Sequence, residues 1–587
     1  SPVSCLLSLE ILMRKELKGA VEVNVLIGGA AGQGMETVMN LLGKTLVREG
    51  YGIIYSKDYM SRVRGGHNFS RLRIAPDTPW TTIESVDLLV ALNEETYEFH
   101  REKVSPSGRI IHDPGLFRLP PSEDRGIPVE LEELAKKEGG AIMANTVALG
   151  ALLALLGLQT DRAKKLLEEV FSGKEEKVVE DNIRALQSGY EAAGQICRAC
   201  FDLPPRVEGG ERLFIDGNQV LGMSALAGGC RFMSAYPMTP STGIMNYLAA
   251  KSTEQDIVVE QAEDEIAAVN MALGASYAGL RALTATSGGG FSLMVEGLSL
   301  AGMTETPLVI IVAMRPGPAT GLPTRTEQGD LGFVIHAGHG EFPRVVLSAT
   351  SHEDAFYRLN KAFELADKYQ TPVIFLSDQN FADTHRSVEP FDFSRLGYNR
   401  ALAEEGEFAR PYLRYRFTEN GISPRIVPGR YPGEVVLADS DEHDEKGNII
   451  EDSSTRIRMA GKRMQKLVTL AEEMDEPDLY GDTKPERLII GWGSTYGVLR
   501  EAVDALSAAG PKTAMLHFSD IWPLPKKRLN DLMPSVQKVF CVENNAGGQL
   551  AALIRQQTGY SANRLILKFD GRPFMPHEIV EEVERDG

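Results

Sequence analysis

The stretch Ala282-Leu283-Thr284-Ala285-Thr286-Ser287-Gly288-Gly289-Gly290-Phe291-Ser292-Leu293-Met294-Val295 changes character twice. Its first residues read as a short buried strand over 282–285, and its last open a helix over 291–301. Between them the glycines make a tight strand-to-helix turn, where backbone amides at the helix start favour an anion. One such unit needs neighbours to cover both faces of its strand.

Those neighbours lie on either side. Helices are predicted over 217–227 and 265–277, with a turn at 236–241 leading to a helix that ends near Ala250. Strands are predicted over 257–260, 307–314 and 372–377. Alternating strands and helices imply a doubly wound parallel sheet. The same order occurs at both ends of the chain. Near the start come the strand Val23-Asn24-Val25-Leu26-Ile27, the glycine-rich residues 28–34, and a helix over 35–49. Further strands follow at 51–56, 85–92 and 109–112, and then a helical stretch over 143–199. From Arg487 a third unit runs strand, Gly491-Trp492-Gly493, helix 498–509, and strands 513–518 and 538–542. Pro204-Pro205 and Gly209-Gly210 mark a linker, whereas 392–485 is polar and irregular, with a helix over 459–474 and an acidic stretch, 439–445, read as a solvated loop. The expected architecture is α/β and multidomain: an extension (1–20), a first α/β domain (21–205), a second (206–391), a connecting segment (392–485) and a third α/β domain (486–587).

Composition agrees with this size and class. At roughly 150 residues per domain, 587 residues suggest about four domains. With 43% hydrophobic and 24% charged residues the chain is not disordered, and five scattered cysteines do not make a disulfide scaffold. A formal net charge of -19 argues against nucleic acid as a partner. The Ala/Leu-rich run 147–158 is short of the ~20 residues that a membrane span needs. A cytoplasmic protein with reduced thiols is expected.

Several motifs carry chemistry. In Tyr236-Pro237-Met238-Thr239-Pro240-Ser241-Thr242, hydroxyls gather at a helix start, where a carboxylate would be well placed; an ordinary helix cap is the other reading. Glu263-Asp264-Glu265 opens the next helix with acids that complement its dipole, yet small residues follow (Ala267, Ala268, Ala272, Gly274), which let something flat approach. Residues 319–331 form a long polar loop after a strand, and Arg325 within it could hold a carboxylate in a bidentate pair. The loop 28–34 fits neither G-x-G-x-x-G nor a P-loop, so it is either a phosphate cradle or a turn that packs without ligand. Arg62 and Arg64 lie in the same unit. Cys197-Arg198-Ala199-Cys200 has no second pair and makes a poor metal site.

Taken in order, these motifs resemble the α subunit of 2-oxoacid:ferredoxin oxidoreductases, in the form with a γ-type domain fused N-terminally, and most of all the 2-oxoglutarate type. Residues 236–242 are similar to the family's Y-P-I-T-P-S-S signature. Residues 286–291 are similar to T-S-G-P-G-F, with Gly289 in place of proline. Residues 320–331 are similar to T-G-x-P-T-x-x-E-Q-x-D-L, and Val542-Glu543-Asn544-Asn545 with Gly548-Gln549-Leu550 is similar to the transketolase C-terminal-like domain. The resemblance implies a γ-type domain, a thiamine-diphosphate pyrimidine-binding domain and a transketolase C-terminal-like domain. It implies that Glu265, with Glu263 as runner-up, holds the aminopyrimidine ring, and that Tyr236, Pro237, Ser287, Gly288, Gly289 and Phe291 line the thiamine diphosphate. Thr239 and Arg325 would grip the 2-oxoacid. Gly32, Gly34, Arg62, Arg64 and Asn145 would be candidates for coenzyme A.

The implied reaction is reversible oxidative decarboxylation of 2-oxoglutarate with coenzyme A to succinyl-CoA and CO2, with electrons passed to ferredoxin. The chain has no Gly-Asp-Gly and no four-cysteine set. The resemblance therefore implies a β subunit that brings the diphosphate-binding domain, Mg²⁺ and a [4Fe-4S] cluster, in an (αβ)2 assembly. Pyruvate, branched-chain or aryl 2-oxoacids are alternative substrates. Read alone, the loop 28–34 also suggests a nicotinamide-dependent dehydrogenase, with Asp58 near the ribose position but Lys57 beside it. A non-catalytic scaffold subunit is a further alternative.

Overall fold

The run Leu308–Met314 reads Leu-Val-Ile-Ile-Val-Ala-Met, and all seven residues are buried. A strand covered on both faces has no need to alternate, and each fully buried Val, Leu or Ile contributes about 1.5–3 kcal/mol. In the computed structural model of the chain, which describes residues 22–61, 66–206 and 210–585, such strands build three sheets. The chain packs into two units: residues up to Ile215 with Asp383–Pro390 and Met575–Val580, and Asp216–Ala382 with Phe391–Phe574 and the remaining C-terminal residues.

The first unit is built on β1 (Val23–Ala30), β2 (Gly52–Asp58), β3 (His67–Ala75), β4 (Val86–Ala91), β5 (Val104–His112), β6 (Gly126–Pro128) and β7 (Leu213–Asp216). With β14 (His385–Val388) they form an eight-stranded sheet in the order β6-β5-β4-β1-β3-β2-β14-β7. The sheet is mixed, which corrects the parallel expectation for this part of the chain. β3 runs antiparallel to both β1 and β2. Its sequence, His-Asn-Phe-Ser-Arg-Leu-Arg-Ile-Ala, hides a strand behind polar residues. Buried Arg73 is tolerated because its Nε donates to Glu22 at 2.9 Å. The apolar run near residue 150 is a core helix: ten of the twelve residues of Ala144–Leu155 are buried, and it packs along the helix Glu176–Ile196. Among the described residues no helix is long and apolar enough to cross a membrane. Cys197 and Cys200, expected as free thiols, are joined in a disulfide.

The second unit holds β8 (Cys230–Ala235), β9 (Val258–Gln261), β10 (Arg281–Thr286), β11 (Leu308–Met314), β12 (Val345–Ser348) and β13 (Pro372–Asp378). It also holds β15 (Asp478–Gly481), β16 (Arg487–Trp492), β17 (Thr513–Phe518), β18 (Asp520–Trp522), β19 (Lys538–Glu543) and β20 (Arg564–Leu567). One sheet has the order β18-β12-β13-β11-β10-β8-β9 and the other β15-β17-β16-β19-β20. Every pairing from β12 to β9 is parallel, and only β18 and β15 run antiparallel at the edges. The first strand, β8, has β9 on one side and β10 on the other. Strand order therefore reverses there, and the crevice beyond the carboxyl ends of β8 and β10 is where such sheets bind ligands.

The irregular residues 392–485 are anchored by buried charge. Asp367 accepts from Arg281 (2.8 Å), Arg400 (3.0 Å) and Arg425 (2.7 Å). Glu305 meets Lys462 at 2.7 Å and Lys466 at 2.5 Å, all three buried. The acidic stretch 439–445 is not simply a solvated loop. Glu442 pairs with Arg456 and Arg463 of the helix Ser453–Glu472, and His443 is fully buried.

Candidate active site

Four segments of the second unit end at the carboxyl edge of parallel strands. β8 leads into residues 236–241, β9 into the helix Glu265–Tyr277, β10 into the helix Gly288–Met303, and β11 into Arg315. Asp264 caps the second of these by accepting from the Ala267 amide at 2.7 Å. That cap turns Glu265 inward: it is 3% exposed and its Oε1 is buried with no hydrogen-bond partner. Glu263, the runner-up, is exposed.

A carboxylate oxygen buried without a partner costs free energy unless a ligand supplies one. The absence of a side chain at Gly290 lets the backbone come close to that carboxylate. A Cβ on Gly290 would stand 2.5 Å from Glu265 Oε1 and would also overlap Thr286 Oγ1. Thr286 in turn touches Met238 Sδ at 3.8 Å, and the Arg315 guanidinium donates to the Thr239 carbonyl at 2.7 Å. The structure thus gathers Glu265, the glycine turn, Met238-Thr239 and Arg315. Ser287, buried at the helix N-cap, has an unpartnered Oγ, and beneath the turn Asn218 donates to the Pro240 carbonyl at 3.0 Å.

Tyr236 is exposed and Pro237 half-buried on the turn. Phe291 is fully buried, edge-on to Phe333 with ring centroids 5.4 Å apart, so its ring belongs to the core beneath the turn. Gly289 lies against the Ala319 carbonyl. Arg325 packs its Cβ and Cγ on Gly571, and the guanidinium found on Thr239 is that of Arg315. The sequence motifs do not point to Arg315; its position directly after a fully buried parallel strand is the signal that could have found it. Burial pulls its pKa below the usual arginine value. Asp330 is a second carboxyl of the site. A Cβ on Gly288 would overlap it, its Oδ2 is buried and unpartnered, and burial pushes it up to about 6. Glu327 is raised as well, first by burial and then by the charge of Asp330.

In the first unit, Gly34 (φ +72°) caps the helix Met35–Arg48, and Asn145 fills the place where its Cβ would stand. Gly32 (φ +91°) faces open space, and the Gln33 side chain accepts from the Ala30 amide at 2.7 Å. Arg62 and Arg64 lie outside the described residues.

Three family matches cover most of the chain. Residues 223–462 match the pyruvate flavodoxin/ferredoxin oxidoreductase family, thiamine-diphosphate-binding. Residues 24–192 match the pyruvate ferredoxin/flavodoxin oxidoreductase family, and residues 485–579 match core domain II of pyruvate:ferredoxin oxidoreductase. These define the class, an oxidoreductase with a thiamine-diphosphate-binding domain. A Sulfolobus protein named 2-oxoacid:ferredoxin oxidoreductase subunit alpha is 34% identical over 96% of this chain and 97% of its own length. A Mycobacterium tuberculosis protein named 2-oxoglutarate oxidoreductase subunit KorA is 33% identical over 76% of this chain and 68% of its own. Among solved structures, 2-oxoglutarate:ferredoxin oxidoreductase from Magnetococcus marinus superposes with a TM-score of 0.90 at 32% identity, over 96% of this chain and 99% of that one. The chain belongs to the 2-oxoacid:ferredoxin oxidoreductase α-subunit family.

Proposed function

We propose that this chain is the catalytic α subunit of a cytoplasmic 2-oxoglutarate:ferredoxin oxidoreductase, converting 2-oxoglutarate and coenzyme A to succinyl-CoA and CO2. The observation that carries the reading is the buried, unpartnered Glu265 Oε1 facing a glycine turn. The substrate assignment is supported by relatives named for 2-oxoglutarate, and by a similar structure described with 2-oxoglutarate, coenzyme A and succinyl-CoA bound.

Glu265 would hold the aminopyrimidine of thiamine diphosphate, and the amides at residues 288–290 would stand at its edge with Ser287. When bound, that cofactor supplies the carbon that takes up the 2-oxoacid carbonyl and bears the electrons left by CO2. Glu265 exchanges a proton or hydrogen bond at Oε1, where burial strengthens either interaction. Thr239, Arg315 and Arg325 are the groups for the carboxylates of the substrate, a role that suits guanidinium because it stays charged when partly buried. A β subunit would add the diphosphate-binding domain, Mg²⁺ and a [4Fe-4S] cluster in an (αβ)2 assembly, and would pass electrons to ferredoxin. Gly32, Gly34, Arg62, Arg64 and Asn145 are the coenzyme A candidates.

The test is reconstitution with a β subunit carrying the diphosphate-binding domain, followed by a panel of 2-oxoacids with coenzyme A and a viologen acceptor. The reading expects 2-oxoglutarate to give the highest kcat/KM and succinyl-CoA as product. Preference for pyruvate would overturn the substrate, and NADH formation without ferredoxin would overturn the class.

A further inference from the structure

Both ends of residues 319–331 lie near the glycine turn. The Ala319 carbonyl lies 3.8 Å from where a Cβ on Gly289 would stand, and the Asp330 carboxylate fills the place of a Cβ on Gly288. The middle of the loop is held from the opposite side, by residues more than 160 positions later in the chain. Gln328 is fully buried and makes four hydrogen bonds there. Its amide donates to the Asn544 carbonyl (2.6 Å) and its Nε2 to the Trp492 carbonyl (2.8 Å). Its Oε1 accepts from the Asn544 amide (2.9 Å) and its carbonyl from Asn545 Nδ2 (3.1 Å).

Asn545 is fixed in turn. Its Nδ2 also donates to Glu543 (2.9 Å), a fully buried carboxylate that accepts from Trp492 Nε1 (3.1 Å) and from the amides of Leu550 (2.9 Å) and Ala551 (3.0 Å). Gln549 makes a second tie, donating to the Gly329 carbonyl (2.7 Å) and accepting from the Gly332 amide (2.8 Å). The Thr326 amide donates to the Gly571 carbonyl (3.1 Å), beside the Arg325 side chain.

We infer that Gln328, Asn545 and Gln549 form a latch by which the C-terminal segment sets the position of loop 319–331, and with it the affinity and selectivity for the 2-oxoacid. The inference rests on the proposed function, because it takes that loop as a wall of the substrate site. It gives the five-stranded sheet a part in recognition, since none of the candidate cofactor residues lies on it. Side-chain amides suit this role because each offers a donor and an acceptor at a fixed spacing, so the loop is held in one register. These are positioning residues, and their removal should let the loop shift without emptying the pyrimidine site.

The experiment uses the reconstituted complex with Gln328→Glu, Asn545→Asp and Gln549→Ala. The first two keep volume and replace a donor with an acceptor; the third removes a half-buried side chain and leaves the core packed. Expected for each is a KM for the preferred 2-oxoacid raised about tenfold, with kcat within about threefold, unchanged bound thiamine diphosphate and weaker discrimination among 2-oxoacids. Restoring glutamine at 328 or asparagine at 545 returns the original KM. Should the buried variants fail to assemble, Gln549→Ala alone decides. An unchanged KM, or a fall in kcat and thermal stability at constant KM, would overturn the latch. A wild-type complex inactive on every 2-oxoacid would instead overturn the proposed function, a result distinct from any change among variants.

Discussion

Two turns of this molecule look alike on paper. Residues 28–34 in the first unit and 287–290 in the second both join a buried strand to a helix through glycines. Their surroundings differ. In the first, Asn145 occupies the space beside Gly34, Gln33 satisfies the Ala30 amide, and Gly32 faces open space. In the second, Glu265 Oε1, Ser287 Oγ and Asp330 Oδ2 are all buried and unpartnered. Glycine spacing therefore marks where backbone can come close to a ligand. Unsatisfied buried polar atoms mark where a ligand is needed.

If that contrast is functional, substitutions at the two turns should separate cleanly. The largest effect is expected for Glu265→Ala, which removes the buried carboxylate proposed to hold the aminopyrimidine. Activity of the reconstituted complex should fall by roughly 10²–10⁴-fold, the range for loss of a positioned acid–base group. Arg315→Ala comes next. Loss of a charge-assisted hydrogen bond of about 1.5–3 kcal/mol should raise KM for the 2-oxoacid by about 10–150-fold, read from steady-state kinetics.

Asp330→Asn has a signed dependence on pH. Because burial raises the folded carboxyl to about 6, above the roughly 3.9 of an unfolded aspartate, the native state keeps its proton longer. Stability contributed by that proton is lost as pH rises from about 4 through 6. Thermal melts should show Asp330→Asn more stable than wild type at pH 8, by at most about 3 kcal/mol, with little difference at pH 4. The smallest effect belongs to the other turn. Gly32→Ala meets open space but must adopt φ +91°, so it should cost about 1 kcal/mol in a melt and leave bound thiamine diphosphate unchanged.

Much of the second unit could be read from its residues, because fully buried parallel strands such as Leu308–Met314 declare themselves as continuous apolar runs. Helices Gly217–Ala227 and Glu265–Tyr277 begin at Asp216 and Asp264, side chains that cap in the usual way. The choice of Glu265 over Glu263 needed the helix start to be fixed to one residue, which the structure supplies through Asp264. Arg315 escaped notice because an arginine after a strand carries no local signature; only the fold brings it to Thr239. β3 was hidden by its polar residues, and β14 by distance, since His385–Val388 pairs with a strand more than 300 residues earlier. The latch on Gln328 was invisible for the same reason, as its partners come from positions 492 and 544–545.

The most direct test of the account is the thiamine diphosphate content of the purified complex, compared between Glu265→Gln and Gly32→Ala. The account predicts weakened retention in Glu265→Gln, through the replacement of one carboxyl oxygen by an amide donor, and wild-type content in Gly32→Ala. Equal retention in Glu265→Gln and wild type, or loss confined to Gly32→Ala, would contradict the assignment of the pyrimidine site to the second unit.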